Sequence, residues 1–234
     1  MLLYVYQRDL CHQGIYAQRR LEQLLCLPVN TIDRALRLLF AIHDVGKLNE
    51  NWQRWAHAWQ QAVQLLNPHA ILPPADAAIA HTDLNRRDPV QQQLQKTVTA
   101  TVGARPNHAA EGALVCLPLL RRVAGDSEDL YRAMVSAVVR HHNALTAGDA
   151  GAFQGYRAAA QSLASQTALK KALTAVSLDH LSATTLAWKV QGKVLEDAMV
   201  KPHESVESTL LYFFLVRTLR RADQLALQEP SLGG

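Results

Sequence analysis

The stretch "AIHDVGKLNENWQRW", residues 41–55, decides how the chain is read. It ends an apolar run, "ALRLLFAI" at residues 35–42, on two adjacent metal-binding side chains, His43 and Asp44. It then passes through Gly46 and Lys47 and becomes amphipathic and tryptophan-rich. Ile32, Ala35, Leu36 and Leu39 recur at the spacing of one helical face, so the His-Asp pair is delivered at the end of a helix. One such pair proves nothing, because a histidine at a helix end is ordinarily a cap. The remainder of the chain has to supply the context.

Working outward, apolar spacings of three and four recur almost everywhere and strict alternation is hard to find, which predicts an all-α chain of seven or eight helices. The first covers roughly Val5 to Cys26, carries His12 and is stopped by Pro28. The second starts after Asn30 as N-cap and leads to His43. "LNENWQRWAHAWQQAVQLLN" forms a third, with Trp52, Trp55 and Trp59 at helical spacing, a stripe that reads as core packing. Residues 67–106, with Pro68, Pro73, Pro74, Pro89 and Pro106, read as a long, partly irregular insertion of the kind that often carries function. Helices resume over Asn107–Ala124 and Ser127–His142. A small-residue loop, "ALTAGDAGAFQG", follows; two short helices near 152–174, one near 185–200 and a long one from Ser205 to about Leu227 complete the chain. No repeat or low-complexity segment breaks residues 1–234 into parts, and a single domain is expected.

With 234 residues and 49% apolar content, the chain can bury a sizeable core. No uninterrupted apolar run of about eighteen residues exists, and Arg8 and Asp9 interrupt the N-terminus before a signal-peptide core could form. A cytoplasmic protein without a membrane partner is expected. Three widely spaced cysteines, Cys11, Cys26 and Cys116, suit reduced thiols and receive no chemistry. The net charge of +4 permits a polyanionic partner without demanding one, since basic pairs such as Arg86-Arg87 and Arg121-Arg122 are spread along solvated helix faces.

Of ten histidines, the informative ones end or begin apolar helical stripes. His12 lies on the first helix, His43 and Asp44 end the second, His108 opens the fourth element, His141 and His142 close the fifth, and Asp223 sits in "LRRADQLA" on the last. Each alone has a bland explanation as a cap or a satisfied core imidazole. Together, five imidazoles and two carboxylates from five helices are the inventory for two divalent cations sharing one bridging carboxylate, aimed inward as in metal sites of helical bundles. Nitrogen-rich ligation disfavours magnesium and calcium and favours manganese, iron, cobalt, nickel or zinc.

The order H, HD, H, HH, D resembles the HD phosphohydrolase superfamily, and specifically the HD nuclease domain of the CRISPR-associated nuclease-helicase of type I interference systems. "HDVGKLNENWQ" is similar to the family's HD motif followed by an aromatic residue and Gln. "RPNHAAEGA", "VVRHHNA" and "RRADQLA" resemble its third histidine, its adjacent histidine pair and its closing aspartate. The resemblance implies an HD helical bundle with a dinuclear metal site in its centre. It implies that His12, His43, Asp44 and Asp223 surround one metal, that Asp44 reaches a second held by His108 and the His141-His142 pair, and that Lys47 supports the phosphate or the bridging carboxylate. Within the insertion, His81 is a rival third ligand; His108 is preferred because it opens an apolar helix.

The function so implied is metal-dependent hydrolysis of single-stranded DNA in CRISPR interference, with Asp44 and Lys47 at the reacting centre. The expected partners are a helicase, in trans or fused, and a CRISPR effector complex. The absence of a GxxxxGK[ST] loop leaves strand separation to that helicase. Two alternatives stand beside this reading: a nucleotide or cyclic-nucleotide phosphohydrolase of the same superfamily, and a degenerate HD domain serving as a scaffold.

Overall fold

The computed structural model describes residues 1–69, 72, 74, 77–79, 82, 87–142, 163–184, 186–187, 192–201 and 205–228. They form helices α1 (Leu2–Val5), α2 (Cys11–Leu24), α3 (Thr31–Ile42), α4 (Glu50–Leu66), α5 (Pro89–Val102), α6 (His108–Ala124), α7 (Glu128–Val139), α8 (Leu163–Ala175), α9 (Lys193–Ala198) and α10 (Val206–Ala226). No strand occurs among the described residues, so the expected all-α class holds. The expected loop at residues 144–155 and the start of the helix pair near 152 lie outside the described residues.

A single apolar core gathers the inward faces of α3, α6, α7 and α10, with Leu36, Leu39, Leu114, Leu120, Met134, Val138, Leu215 and Leu219 among its fully or almost fully buried members. Helix α10 lies along α7, α6 packs on both α3 and α7, and α8 covers α3. The local reasons are in the sequence. Ser127 and Ser205 accept from Leu130 N and Ser208 N and so start α7 and α10. Asn107 does the same for α6, accepting from Ala110 N at 3.3 Å.

Three details differ from the sequence reading. Asn30 stands at the N-cap of α3 in a left-handed conformation (φ 68°) and makes no side-chain cap; the buried Glu22 reaches across and accepts from Ile32 N at 2.9 Å instead. The first helix does not begin at Val5: α1 runs on through a π-helical turn, Tyr6–Leu10, into α2. The insertion contains a full helix, α5, because Pro89 occupies its first position, where a missing N–H costs nothing, and Asp88 caps it by accepting from Val90 N. Helix α5 packs on α4 through Trp55, Trp59 and Val98, a cluster separate from the main core. As expected, the tryptophan stripe is core: Trp52, Trp55 and Trp59 are all buried.

Candidate metal centre

Each ligand candidate of the main core sits where a helix ends. His43 follows α3, His108 is the first residue of α6, His141 and His142 follow α7, and Asp223 lies in the last turn of α10. Rigid, core-packed helices therefore fix the Cα positions, and only short side chains span the gap between them.

Asp44 occupies the middle. Its Oδ1 faces His108 Nε2 at 3.3 Å and His141 Nε2 at 3.7 Å, while its Oδ2 faces His43 Nε2 at 3.5 Å and accepts from Lys47 Nζ at 2.7 Å. The two oxygens thus address two different sets of imidazoles. On the Oδ2 side, His43 Nε2 also lies 3.7 Å from Asp223 Oδ1. On the other side, His142 Nε2 approaches His108 Nε2 to 2.8 Å. One ligand atom each from Asp44, His108, His141 and His142 falls within 4.8 Å of all the others, close enough to share a cation.

The tautomers follow from the partners. His43 Nδ1 lies 3.2 Å from Phe40 O and His141 Nδ1 lies 2.7 Å from Val138 O. A carbonyl can only accept, so both Nδ1 atoms carry hydrogen and both Nε2 lone pairs point into the centre, the arrangement that ligating histidines use. His141 Nε2 and Asp44 Oδ1 are buried without a hydrogen-bond partner. Orphaned buried acceptors of this kind carry a large desolvation cost, and a divalent cation between them removes it. The donor set therefore fits a nitrogen-rich metal site.

The protonation states agree with ligation. Burial alone would raise the Asp44 carboxyl, but the imidazoles of His108 and His141 against it, together with the Lys47 ammonium, hold it far below the ordinary range. Asp223 is likewise lowered, chiefly by its contact with His43. Burial lowers His108 although Asp44 opposes it, and burial together with His141 and His108 pulls His142 down to about 3. At neutral pH the carboxylates are ionised while His108 and His142 are neutral, as metal binding requires.

The other sequence candidates divide. Lys47 is at the centre, on Asp44. His12 is exposed on α2 and makes no hydrogen bond or ion pair among the described residues. His81 lies outside the described residues.

Sequence reasoning missed what holds Asp44 against His108. A Cβ on Gly46 would meet His108 O at 1.9 Å and Gly112 N at 2.8 Å, and one on Gly112 would meet Gly46 N at 2.8 Å. The two glycines let the turn after Asp44 lie directly on the first turn of α6. Asn49, at the N-cap of α4, donates from Nδ2 to the buried Glu111 at 3.2 Å and ties the same two segments; burial raises the Glu111 carboxyl. Trp52 packs edge-on against His108 with ring centroids 5.0 Å apart. A glutamate and a glycine inside the apolar "HAAEGALV" were the visible signal for the first two contacts.

The centre opens into a cleft of about 1310 Å³, floored by Asp44, His108, His142 and Asp223 and walled by α5. Among the described residues, no helix is long and apolar enough to cross a membrane. No curated protein and no solved structure matches the chain. A family model described as "Cas3, HD domain" matches residues 6–213 and so includes every ligand candidate except Asp223, whose place rests on its approach to His43. With that match over most of its length, the chain belongs to the Cas3 HD-domain family and is a hydrolase-type HD domain of the CRISPR-associated nucleases.

Proposed function

We propose that residues 1–234 form one HD nuclease domain, with its insertion at about 67–106, that hydrolyses phosphodiester bonds of single-stranded DNA in type I CRISPR interference in the cytoplasm. The observation that carries the reading is Asp44, with one oxygen turned to each of two sets of imidazoles. In this reading His43, Asp44 and Asp223 hold one divalent transition-metal ion, of manganese, iron, cobalt, nickel or zinc. Asp44 also reaches a second, held by His108, His141 and His142. His12 is the remaining ligand expected beside the first.

Two such cations, held by these residues, would supply Lewis acidity for activating water and for neutralising charge on the phosphodiester. The chain's own residues do the positioning. Phe40 O and Val138 O fix the imidazole tautomers, Gly46 and Gly112 set the approach of Asp44 to His108, and Lys47 holds the outer oxygen of Asp44 in place. A cleft of about 1310 Å³ exceeds the roughly 300–1,000 Å³ usual for small ligands, which favours a polymer over a mononucleotide. A helicase, fused or in trans, and an effector complex supply the opened strand.

The test is a metal-resolved assay of the purified chain on circular single-stranded DNA, beside a panel of nucleotides, with and without chelator. Linearisation of the circle that chelator abolishes is the expected result. Hydrolysis of nucleotides with the circle intact would replace this reading with a nucleotide phosphohydrolase, and purification with no stoichiometric transition metal would replace it with a scaffold.

A further inference from the structure

A single side-chain amide beside the metal centre is shared between two stretches of backbone. Gln53, in the first turn of α4, donates from Nε2 to Lys47 O at 2.5 Å and to Ile79 O at 2.9 Å, while its Oε1 accepts from Ile79 N at 2.8 Å. Both hydrogens of the amide are thereby engaged. Toward Ile79 the side chain exchanges both bonds with one residue, as a neighbouring strand would.

Two more side chains of α4 hold the same segment. Trp52 Nε1 donates to Ile79 O at 3.2 Å, and His57 Nε2 donates to Ala77 O at 3.1 Å. The Ile79 side chain is buried with Trp52 and Ala56. Residues 77–79 of the insertion are thus fastened along α4, and Thr82, three residues on, lines the cleft.

At its other end the amide holds the turn that follows Asp44. This turn, Val45–Leu48, lays Gly46 against His108 O and sends Lys47 Nζ back to Asp44 Oδ2 at 2.7 Å. A lysine carries its charge on a flexible four-carbon stem, so the place of the ammonium depends on how firmly the backbone beneath it is held. Gln53 does that holding for Lys47, and it does so from a side chain committed at the same time to the insertion. Gln53 itself does not line the cleft.

Resting on the nuclease reading above, we propose that Gln53 is a positioning residue. By tying the Lys47 backbone to residues 77–79, it keeps the Lys47 ammonium on Asp44 and makes the seating of the insertion a determinant of the chemical step.

The test uses the whole chain. Reductive methylation of Lys47 and deuterium exchange of the Ile79 amide, both read by mass spectrometry without metal, report the two ends of the Gln53 amide. Steady-state cleavage of a single-stranded oligothymidylate by the metal-loaded chain reports the chemistry. Gln53→Met keeps the length of the side chain and loses all three bonds. It should speed methylation and exchange about tenfold each and lower kcat about tenfold, with KM and metal stoichiometry unchanged. Gln53→Glu, at about pH 8 where its carboxylate is ionised, keeps an acceptor for Ile79 N and has no donor for Lys47 O. Its methylation and kcat should follow the Met variant while the Ile79 amide stays protected, a split that a merely structural role would not produce. Lys47→Met combined with Gln53→Met should cut no more slowly than Lys47→Met alone, because Gln53 acts through Lys47. If Gln53→Met unfolds, Gln53→Glu carries the test. Wild-type methylation and kcat in the Gln53 variants, or rate losses that add in the double variant, with the wild type cutting, would overturn the role of Gln53 and leave the nuclease reading intact. A metal-loaded wild-type chain that does not cut the oligomer overturns both.

Discussion

Helices α3, α6, α7 and α10 pour their apolar faces into one core, whereas α4 and α5 pack on each other through Trp55, Trp59 and Val98, outside it. The first region carries every ligand candidate that meets Asp44 or its neighbours, each at the end of a core-buried helix. The second carries no ligand, but it builds the wall of the cleft and leans Trp52 on His108. The contrast separates two demands on a hydrolase. Ligands have to be held to within fractions of an ångström, and a shared core does that. A substrate wall needs shape and polarity more than that precision, and a helix laid on the side suffices.

The largest expected break in this division is Asp44→Ala. Because Asp44 faces both sets of imidazoles, the variant should lose bound metal and fall to background hydrolysis, measured by elemental analysis and by cleavage of circular single-stranded DNA. Near wild-type cleavage would refute the site.

Next come two glycines, one from each region. Gly46→Ala forces a Cβ to within 1.9 Å of His108 O and has to push the Asp44 turn off α6. It should cost about 3 kcal/mol, the upper end for overpacking, or a fall in Tm of roughly 6–12 °C, together with metal loss. Gly103→Ala, after α5, meets nothing within 4 Å, and its only penalty is φ +93°. It should cost about 1–3 kcal/mol and retain full metal content. Equal metal loss in both would erase the distinction between the regions.

A gentler test uses pH on the metal-free chain. His108 and His142 are lowered in the folded state, His142 to about 3, while an unfolded histidine titrates near 6.5. Between those values the unfolded chain binds more protons, so stability rises with pH. The imidazole contribution is complete above about pH 6.5 and is lost as pH falls toward 3. Asp44 and Asp223, lowered carboxylates, lose theirs only below about 3.8. Thermal melts between pH 7.5 and 4.5 should therefore slope downward with acid, and His142→Asn should flatten the slope. An unchanged slope in that variant would show that the imidazoles are not held neutral by the fold.

The smallest effect is expected from His12→Ala, since His12 is exposed and unbonded. Tm should not move, and elemental analysis should show at most the one equivalent of metal that His12 helps to hold lost, with the second cation retained. Unchanged stoichiometry would remove His12 from the ligands of the first cation.

His43, Asp44, His108, His141, His142 and Asp223 were legible because each ends or begins a visible helical stripe, and a chain of helices displays its junctions in its periodicity. His12 sits inside a stripe, where spacing says which face a residue takes but not what it meets. The wall of the cleft was hidden for another reason. Pro89 reads as a breaker unless the cap at Asp88 is weighed with it, and the stacking of Arg105 on Trp52 joins residues far apart in the chain, a contact that no local rule reveals. The motif glycine Gly46 was visible, but its cause is backbone more than sixty residues away.

The tryptophans of α4 also give the molecule an optical signature. Trp55 and Trp59 lie face to face at 5.7 Å and 6°, so their transitions couple and mark the packing of α5 in the near-ultraviolet dichroism. Trp52, edge-on to His108, emits beside an imidazole whose charge and ligation alter its quenching. Ligation at His108 and the packing of α5 on α4 thus both bear on one row of tryptophans, Trp52, Trp55 and Trp59, readable without a label.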